Sequence, residues 1–206
     1  TFQSPKGCGL YLSALLRPQL SPQDVADFTA WVAVAVCDGI QSACGVQPKI
    51  KWTNDIVYEG RKLVGILTEL GLESETNSLQ YLVPGIGINA NHRPEDFGED
   101  IRDMAVSLAQ ILGKPVRRSK LAVEVIRALD RMYAGFPANK EEYLQRYREL
   151  CITPGNRVQL ITPVSRQEAY ALEIDDEFRL VVELPDGTRK ALSSGEVSVR
   201  GMYGYV

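Results

Sequence analysis

Hydrophobic and polar positions along the chain fall into two textures. As far as about residue 150, short apolar runs alternate with long helical patterns; beyond Thr153-Pro154-Gly155-Asn156 only short β-rich runs remain. Leu10 to Leu16 is an apolar run closed by Arg17-Pro18, a length and an ending that predict a buried strand. Ser21-Pro22-Gln23-Asp24 predicts a helix start, with Ser21 as N-cap and Pro22 at the first helical position. From Val25 to about Cys44 nearly every face of this helix is apolar, so it should be buried on more than one side and stop at Gly45.

The middle of the chain reads as strands at 49–52, 56–58, 61–70 and 80–88. In the third of these, Leu63, Gly65, Leu67 and Glu69 alternate with Lys62, Val64, Ile66 and Thr68, which predicts two unlike faces with Lys62 on the side of Val64 and Ile66. Helices are predicted near 103–112, 119–135 and 139–150, the last with capping-box spacing from Asn139. The tail gives short strands at 157–162, 169–174, 178–184 and 189–193, with a Pro185-Asp186-Gly187 turn, the pattern of a small barrel. The order is α+β, with one domain over 1–153 and a second over 154–206.

Composition narrows the classes. At 45% hydrophobic and 24% charged, 206 residues can hold one ordinary core and a small second one. The net charge of −3 gives no general reason to expect nucleic acid or an anionic membrane as partner. Cys8, Cys37, Cys44 and Cys151 form no Cys-x-x-Cys pair, and His92 is the one histidine, so buried or idle thiols are expected, not a metal cluster. No apolar run approaches the roughly 20 residues of a membrane span, and the start is no signal peptide, so a cytoplasmic protein is expected. A chain beginning at Thr1 without methionine reads as a fragment, a processed product or an incomplete record.

Lys51-Trp52-Thr53-Asn54-Asp55 gathers a cation, a large ring, an amide and a carboxylate at a strand end. Lysine can neutralise phosphate, aspartate can hold Mg²⁺, asparagine can pair with an adenine edge and tryptophan can wall a pocket; Asn-Asp is equally good hairpin-turn chemistry. Lys62 follows on a strand whose neighbours look buried, a place where lysine needs a charge partner or an anionic ligand, unless it is a solvated edge lysine. Gly85-Ile86-Gly87-Ile88-Asn89 strips side chains from one face of a strand, so a flat ligand can lie on the backbone. Taken alone, Gly-x-Gly is weak and lacks the dinucleotide-binding spacing.

In order and spacing, Lys-Trp-x-Asn-Asp, Arg-Lys-Leu-x-Gly-Ile-Leu-x-Glu and Gly-x-Gly-Ile-Asn resemble the biotin protein ligases. The likeness extends back to Ser4-Pro5-x-Gly7 and Leu10-Tyr11-Leu12-Ser13, and forward to Gly195-Glu196-Val197-Ser198-Val199-Arg200. The resemblance implies a catalytic domain related to class II aminoacyl-tRNA synthetases, a mixed β-sheet backed by helices, followed by a small SH3-like β-barrel. It implies an enzyme that adenylates biotin with MgATP and passes the biotinyl group to a lysine of a biotin carboxyl carrier protein. Gly85, Gly87 and Asn89 would line the biotin site, with Ser13, Tyr11 and Leu67 as walls. Lys62 would lie against the biotin carboxylate and the α-phosphate, and Lys51 would be a second cation of the nucleotide site. Asn54 would contact adenine, Trp52 and Phe2 would supply rings, Asp55 would stand near the metal and phosphates, and Glu196 and Arg200 would approach the nucleotide from the second domain. Thr53 stands where the family usually has proline, which frees a backbone N–H.

Relatives carry a Gly-Arg-rich loop before the position of Thr1; without it, the 206 residues alone are expected to bind biotin weakly and make little adenylate. The 206 residues include no DNA-binding helix-turn-helix ahead of the domain, so the sequence leaves a repressor role open, and a homodimer as well. Two competing readings are a non-catalytic module that binds biotin or the carrier, and a lipoate ligase of the same fold.

Overall fold

A computed structural model describes residues 5–73, 75, 78–162, 165–193 and 198–201, with the backbone alone at 24, 198, 200 and 201. Its first sheet joins β1 (Leu10–Ser13), β2 (Lys49–Lys51), β3 (Asp55–Tyr58), β4 (Arg61–Leu72) and β5 (Leu79–Ile88) in the order β1-β5-β4-β3-β2. Every neighbouring pair in it is antiparallel. The mixed sheet that was expected is therefore corrected among the described residues: the parallel contacts are isolated bridges at Ile50–Cys151 and Lys62–Ala105.

One face of this sheet is apolar and packed. Ile50, Ile56, Val64, Ile66, Ile86 and Ile88 are all buried, and they share the core with α1 (Phe28–Cys44). Eleven of the residues of α1 are buried, as its all-round apolar pattern predicts. A methyl group on Gly39 would lie 2.7 Å from the Val125 Cα, so only glycine lets α1 approach α3 (Arg118–Gly135) this closely. At the other end of α1, Trp31 stacks on Tyr143 of α4 (Lys140–Leu150) with ring centroids 4.3 Å apart.

Several boundaries differ from the sequence reading. The apolar run from Leu10 pairs regularly only to Ser13; it is a half-exposed edge strand, and Leu16 then touches β5 through a bridge to Leu82. Ser21 does not cap α1, because a 3-10 turn at Gln23–Val25 intervenes and Asp27 takes the N-cap position. The expected helix from 103 begins only at α2 (Leu108–Leu112), where Ser107 and Gln110 form a reciprocal capping box. Asn139 stands at the α4 N-cap without a side-chain cap bond.

The second sheet is also antiparallel, in the order β10-β6-β7-β8-β9, from β6 (Arg157–Ile161), β7 (Arg166–Ile174), β8 (Leu180–Glu183), β9 (Arg189–Leu192) and β10 (Ser198–Gly201). Val158, Leu160, Ala171, Leu180 and Val182 form its buried side. None of the helices among the described residues is long and apolar enough to cross a membrane.

Candidate functional site

The face of the first sheet turned away from α1 carries the motifs. Register aligns Tyr11 with Gly87, Gly87 with Gly65, Gly65 with Asp55 and Asp55 with Lys51, one row across all five strands. A second row, two residues along, aligns Ser13 with Gly85 and Gly85 with Leu67. Side chains two apart on a strand share a face, so residues quoted from three separate motifs stand together. Gly65, Gly85 and Gly87 leave the middle of that face as bare backbone. Leu67 and Tyr11 rise beside it, 64% and 44% exposed, as two walls.

Lys62 reaches this face through an irregularity. Val57 pairs with Lys62 but Ile56 pairs with Val64, so β4 carries an extra residue opposite β3. The bulge turns Lys62 away from the buried side of Val64 and Ile66, where plain alternation had put it. A methyl group on Gly65 would lie 3.4 Å from Lys62 Cε, and Lys62 Nζ is 2.5 Å from Asp55 Oδ1. The two side chains are 35% and 18% exposed, so the ion pair stands at the rim of the glycine floor, open to an incoming anion.

The backbone of Lys62 is fixed from both sides. Its N–H donates to Met104 O at 2.7 Å, and its carbonyl accepts from Val106 N at 2.9 Å. Asn89 holds the same turn of chain, with Nδ2 donating to Lys62 O and its own N–H to Leu63 O. This use of Met104–Val106 is why the expected helix starts late: a turn ends at Met104, and Ala105 bridges to Lys62 of β4. Lys51 is buried at the far end of the Tyr11–Gly87 row.

Two residues are placed otherwise than expected. Asn54 donates one side-chain amide N–H to Ile66 O at 2.6 Å, and its backbone carbonyl accepts from Ile66 N, so it ties the turn before β3 to β4 and does not offer its whole amide to a base. Trp52 is only 4% exposed, and its indole N–H donates to Phe178 O at 3.0 Å; the ring fills the junction with the second sheet and does not wall an open pocket. The Trp52–Thr53 peptide is cis. Arg200 lies in β10 opposite Gln159, while Phe2 and Glu196 lie outside the described residues. Sequence reasoning missed Gly65 as part of the floor, although glycine inside a strand was its signal. It also missed Tyr147 and Thr153, which bond to the Trp52–Asp55 turn from far along the chain.

Among the described residues no three His, Cys, Asp or Glu side chains come together as a metal cage. Asp55 alone suits an ion such as Mg²⁺, which takes one or two carboxylates and completes its shell with phosphate oxygens and water.

Residues 1–89 match the biotin/lipoate A/B protein ligase family. The bifunctional ligase/repressor BirA of Bacillus subtilis is 32% identical over 194 residues, 94% of this chain and 59% of that protein. The biotin–[acetyl-CoA-carboxylase] ligase of Mycobacterium tuberculosis is 28% identical over 168 residues, 80% of this chain and 59% of that protein. The chain thus spans about 59% of the length of these curated relatives. Among solved structures, a mutant biotin protein ligase from Aquifex aeolicus in complex with biotin superposes with a TM-score of 0.78 at 25% identity, covering 94% of this chain and 78% of that one. The same ligase in complex with biotin and ATP gives 0.79 at 24% identity over 94% and 79%. Over 94% of its length the chain thus shares sequence with the bifunctional ligase/repressor BirA of Bacillus subtilis and its fold with a biotin protein ligase, and the glycine floor, Lys62 and the Lys51–Asp55 turn lie on one sheet face of that shared fold.

Proposed function

We propose that the protein containing this chain activates biotin with ATP and transfers the biotinyl group to a lysine of a biotin carboxyl carrier protein. The observation that carries the reading is the glycine-floored face of Gly65, Gly85 and Gly87 with the Lys62–Asp55 pair at its rim. A flat bicyclic ligand fits against bare backbone between Tyr11 and Leu67, with Ser13 beside Gly85 as a polar contact. Its carboxylate would then meet the Lys62 ammonium.

In the first step a biotin carboxylate oxygen attacks the α-phosphorus of ATP, the bond to the β-phosphate oxygen breaks, and pyrophosphate leaves. Lys62 stabilises the charge that grows on the phosphoryl oxygens, and Asp55 holds the ammonium in place beforehand. Lys51 adds a second cation to the nucleotide end, Asn89 fixes the Lys62 backbone beneath the ligand, and Mg²⁺ bound through Asp55 and the phosphates would neutralise the nucleotide. In the second step the carrier lysine, as free amine, attacks the acyl carbon and AMP departs. Residues 154–206 would form the SH3-like domain of the family, and Glu196 and Arg200 would approach the nucleotide from it.

The test is to incubate full-length protein with biotin and ATP and follow pyrophosphate and biotinyl-5′-AMP by mass spectrometry. A carrier domain is then added and its mass followed. Pyrophosphate that depends on biotin, and a carrier heavier by one biotinyl group, are the expected results. Binding of biotin with no pyrophosphate would favour a non-catalytic module, and equal turnover of lipoate would remove the preference for biotin.

A further inference from the structure

The turn from Trp52 to Asp55 is short enough for its own hairpin to close, yet it is held from behind by groups 94 to 126 residues further along the chain. Tyr147, fully buried on α4, donates its phenol O–H to Thr53 O at 3.0 Å. Thr153 Oγ1 accepts from Trp52 N at 2.8 Å, and Phe178 O accepts from the Trp52 indole. Phe178 has φ of 56°, a left-handed backbone that a bulky residue adopts only when its surroundings require it, and its ring meets Tyr147 edge-on at 5.5 Å. Two of these bonds end on backbone atoms of the turn, so they fix its path whatever side chains it carries. Burial pushes the Tyr147 phenol well above its ordinary range, so it remains a donor across the working pH range.

What the turn delivers is Asp55, two residues beyond the carbonyl that Tyr147 grips. Asp55 stands between Lys51 and Gly65 in the floor row and holds the Lys62 ammonium. We propose that Tyr147, with the Trp52–Phe178 bond, acts as a positioning latch through which α4 and the β7–β8 connection set Asp55, and so Lys62, for adenylation. The inference rests on the biotin-adenylation reading. Misplacing a reacting group by an ångström can cost about 100-fold in rate, and the latch removes that freedom without touching substrate.

The test compares Tyr147→Phe and Trp52→Phe in the full-length protein. Each keeps a ring and loses one donor. Both should lower kcat for biotin-dependent pyrophosphate formation about tenfold and leave KM for biotin within about twofold, a split expected when geometry in the transition state is lost and binding is not. In native-state hydrogen exchange, the Ile66 amide, which bonds to Asn54 O within this turn, should exchange faster, while Val158 and Leu160 keep wild-type rates. Leu144→Ala, a cavity in the same helix, should lower the melting temperature yet keep kcat below it. In an Asp55→Asn background, Tyr147→Phe should cost less than about twofold. Unchanged kcat and exchange in Tyr147→Phe, or a full tenfold loss persisting in the Asp55→Asn background, would overturn the latch. If the wild-type protein makes no adenylate, the biotin reading fails, and the exchange rates still decide whether the latch holds the turn.

Discussion

Replacing Gly85 with valine separates the ligand-binding role of the floor from its folding role. A first carbon on Gly85 would meet Leu67 O at 3.5 Å and Ser13 Oγ at 3.7 Å, both ordinary contact distances. Gly85 is not among the residues with positive φ, so valine enters without backbone strain. A β-branched residue in a strand interior is favoured over glycine by about 0.5–1 kcal/mol. For a chain of this length that amounts to a rise of roughly 1–4 °C in melting temperature, or no change if Ser13 and Leu67 must adjust. The two methyl groups would, however, stand on the bare backbone where the ligand has to lie. We expect biotin affinity to fall at least about 100-fold, about 2.7 kcal/mol, with Gly85→Ala intermediate. Isothermal titration with biotin and thermal denaturation of the same samples measure both sides. A valine variant that melts like wild type and binds biotin within threefold would refute the placement of the ligand on this face. A variant that loses its fold would show that Gly85 serves packing.

Other changes should follow from the same geometry. Lys62→Ala should lower adenylate formation about 100- to 1,000-fold, while the melting temperature barely moves, because a half-exposed ion pair contributes at most about 1 kcal/mol; a rate within threefold of wild type in a pyrophosphate assay would remove Lys62 from its role. Burial lowers the pKa of His92 beneath its ordinary value, with Asp96 opposing. A depressed folded-state pKa leaves stability intact above about pH 6.5 and erodes it as pH falls through the folded value, so the wild-type melting temperature should drop between pH 7 and pH 5 and that of His92→Phe should not. Equal pH profiles would contradict this. Burial also raises the Cys37 thiol far above its ordinary range and pushes Cys151 up to about 11, so iodoacetamide at pH 8 should modify Cys8 and spare both in the native protein; peptide mass mapping reads the outcome.

The parts of the site that lie in short local patterns were legible in the sequence. Lys51–Asp55, Lys62 and Gly85–Asn89 could be singled out because each is an unusual group of residue types in a strand context, and strand parity alone puts Gly85 and Gly87 on one face. The face of Lys62 was not legible, since it depends on the bulge opposite Ile56 and Val57, which alternation in β4 does not reveal. The bridge from Ala105 to Lys62 was hidden in the same way: an apolar stretch beside a helix start looks helical until Lys62 takes the backbone groups of Met104 and Val106. Trp52 illustrates the general limit. Its ring type suggests a ligand wall, but its burial is decided by Phe178 and Thr153, residues that only the folded chain brings near. The α1 helix, by contrast, was readable in extent and burial because its pattern is local, and only its start moved to Asp27.

The most direct test of the account is a map of backbone amide shifts as biotin is titrated into isotopically labelled full-length protein. The largest changes are expected at Tyr11–Ser13, Gly65–Leu67 and Gly85–Asn89, with Lys62 among them, and little change at Val158–Leu160 or Leu180–Val182 in the second sheet. Shifts concentrated in the second sheet, or absent from Gly65, Gly85 and Gly87 at saturating biotin, would contradict the glycine-floored face as the place where biotin is held.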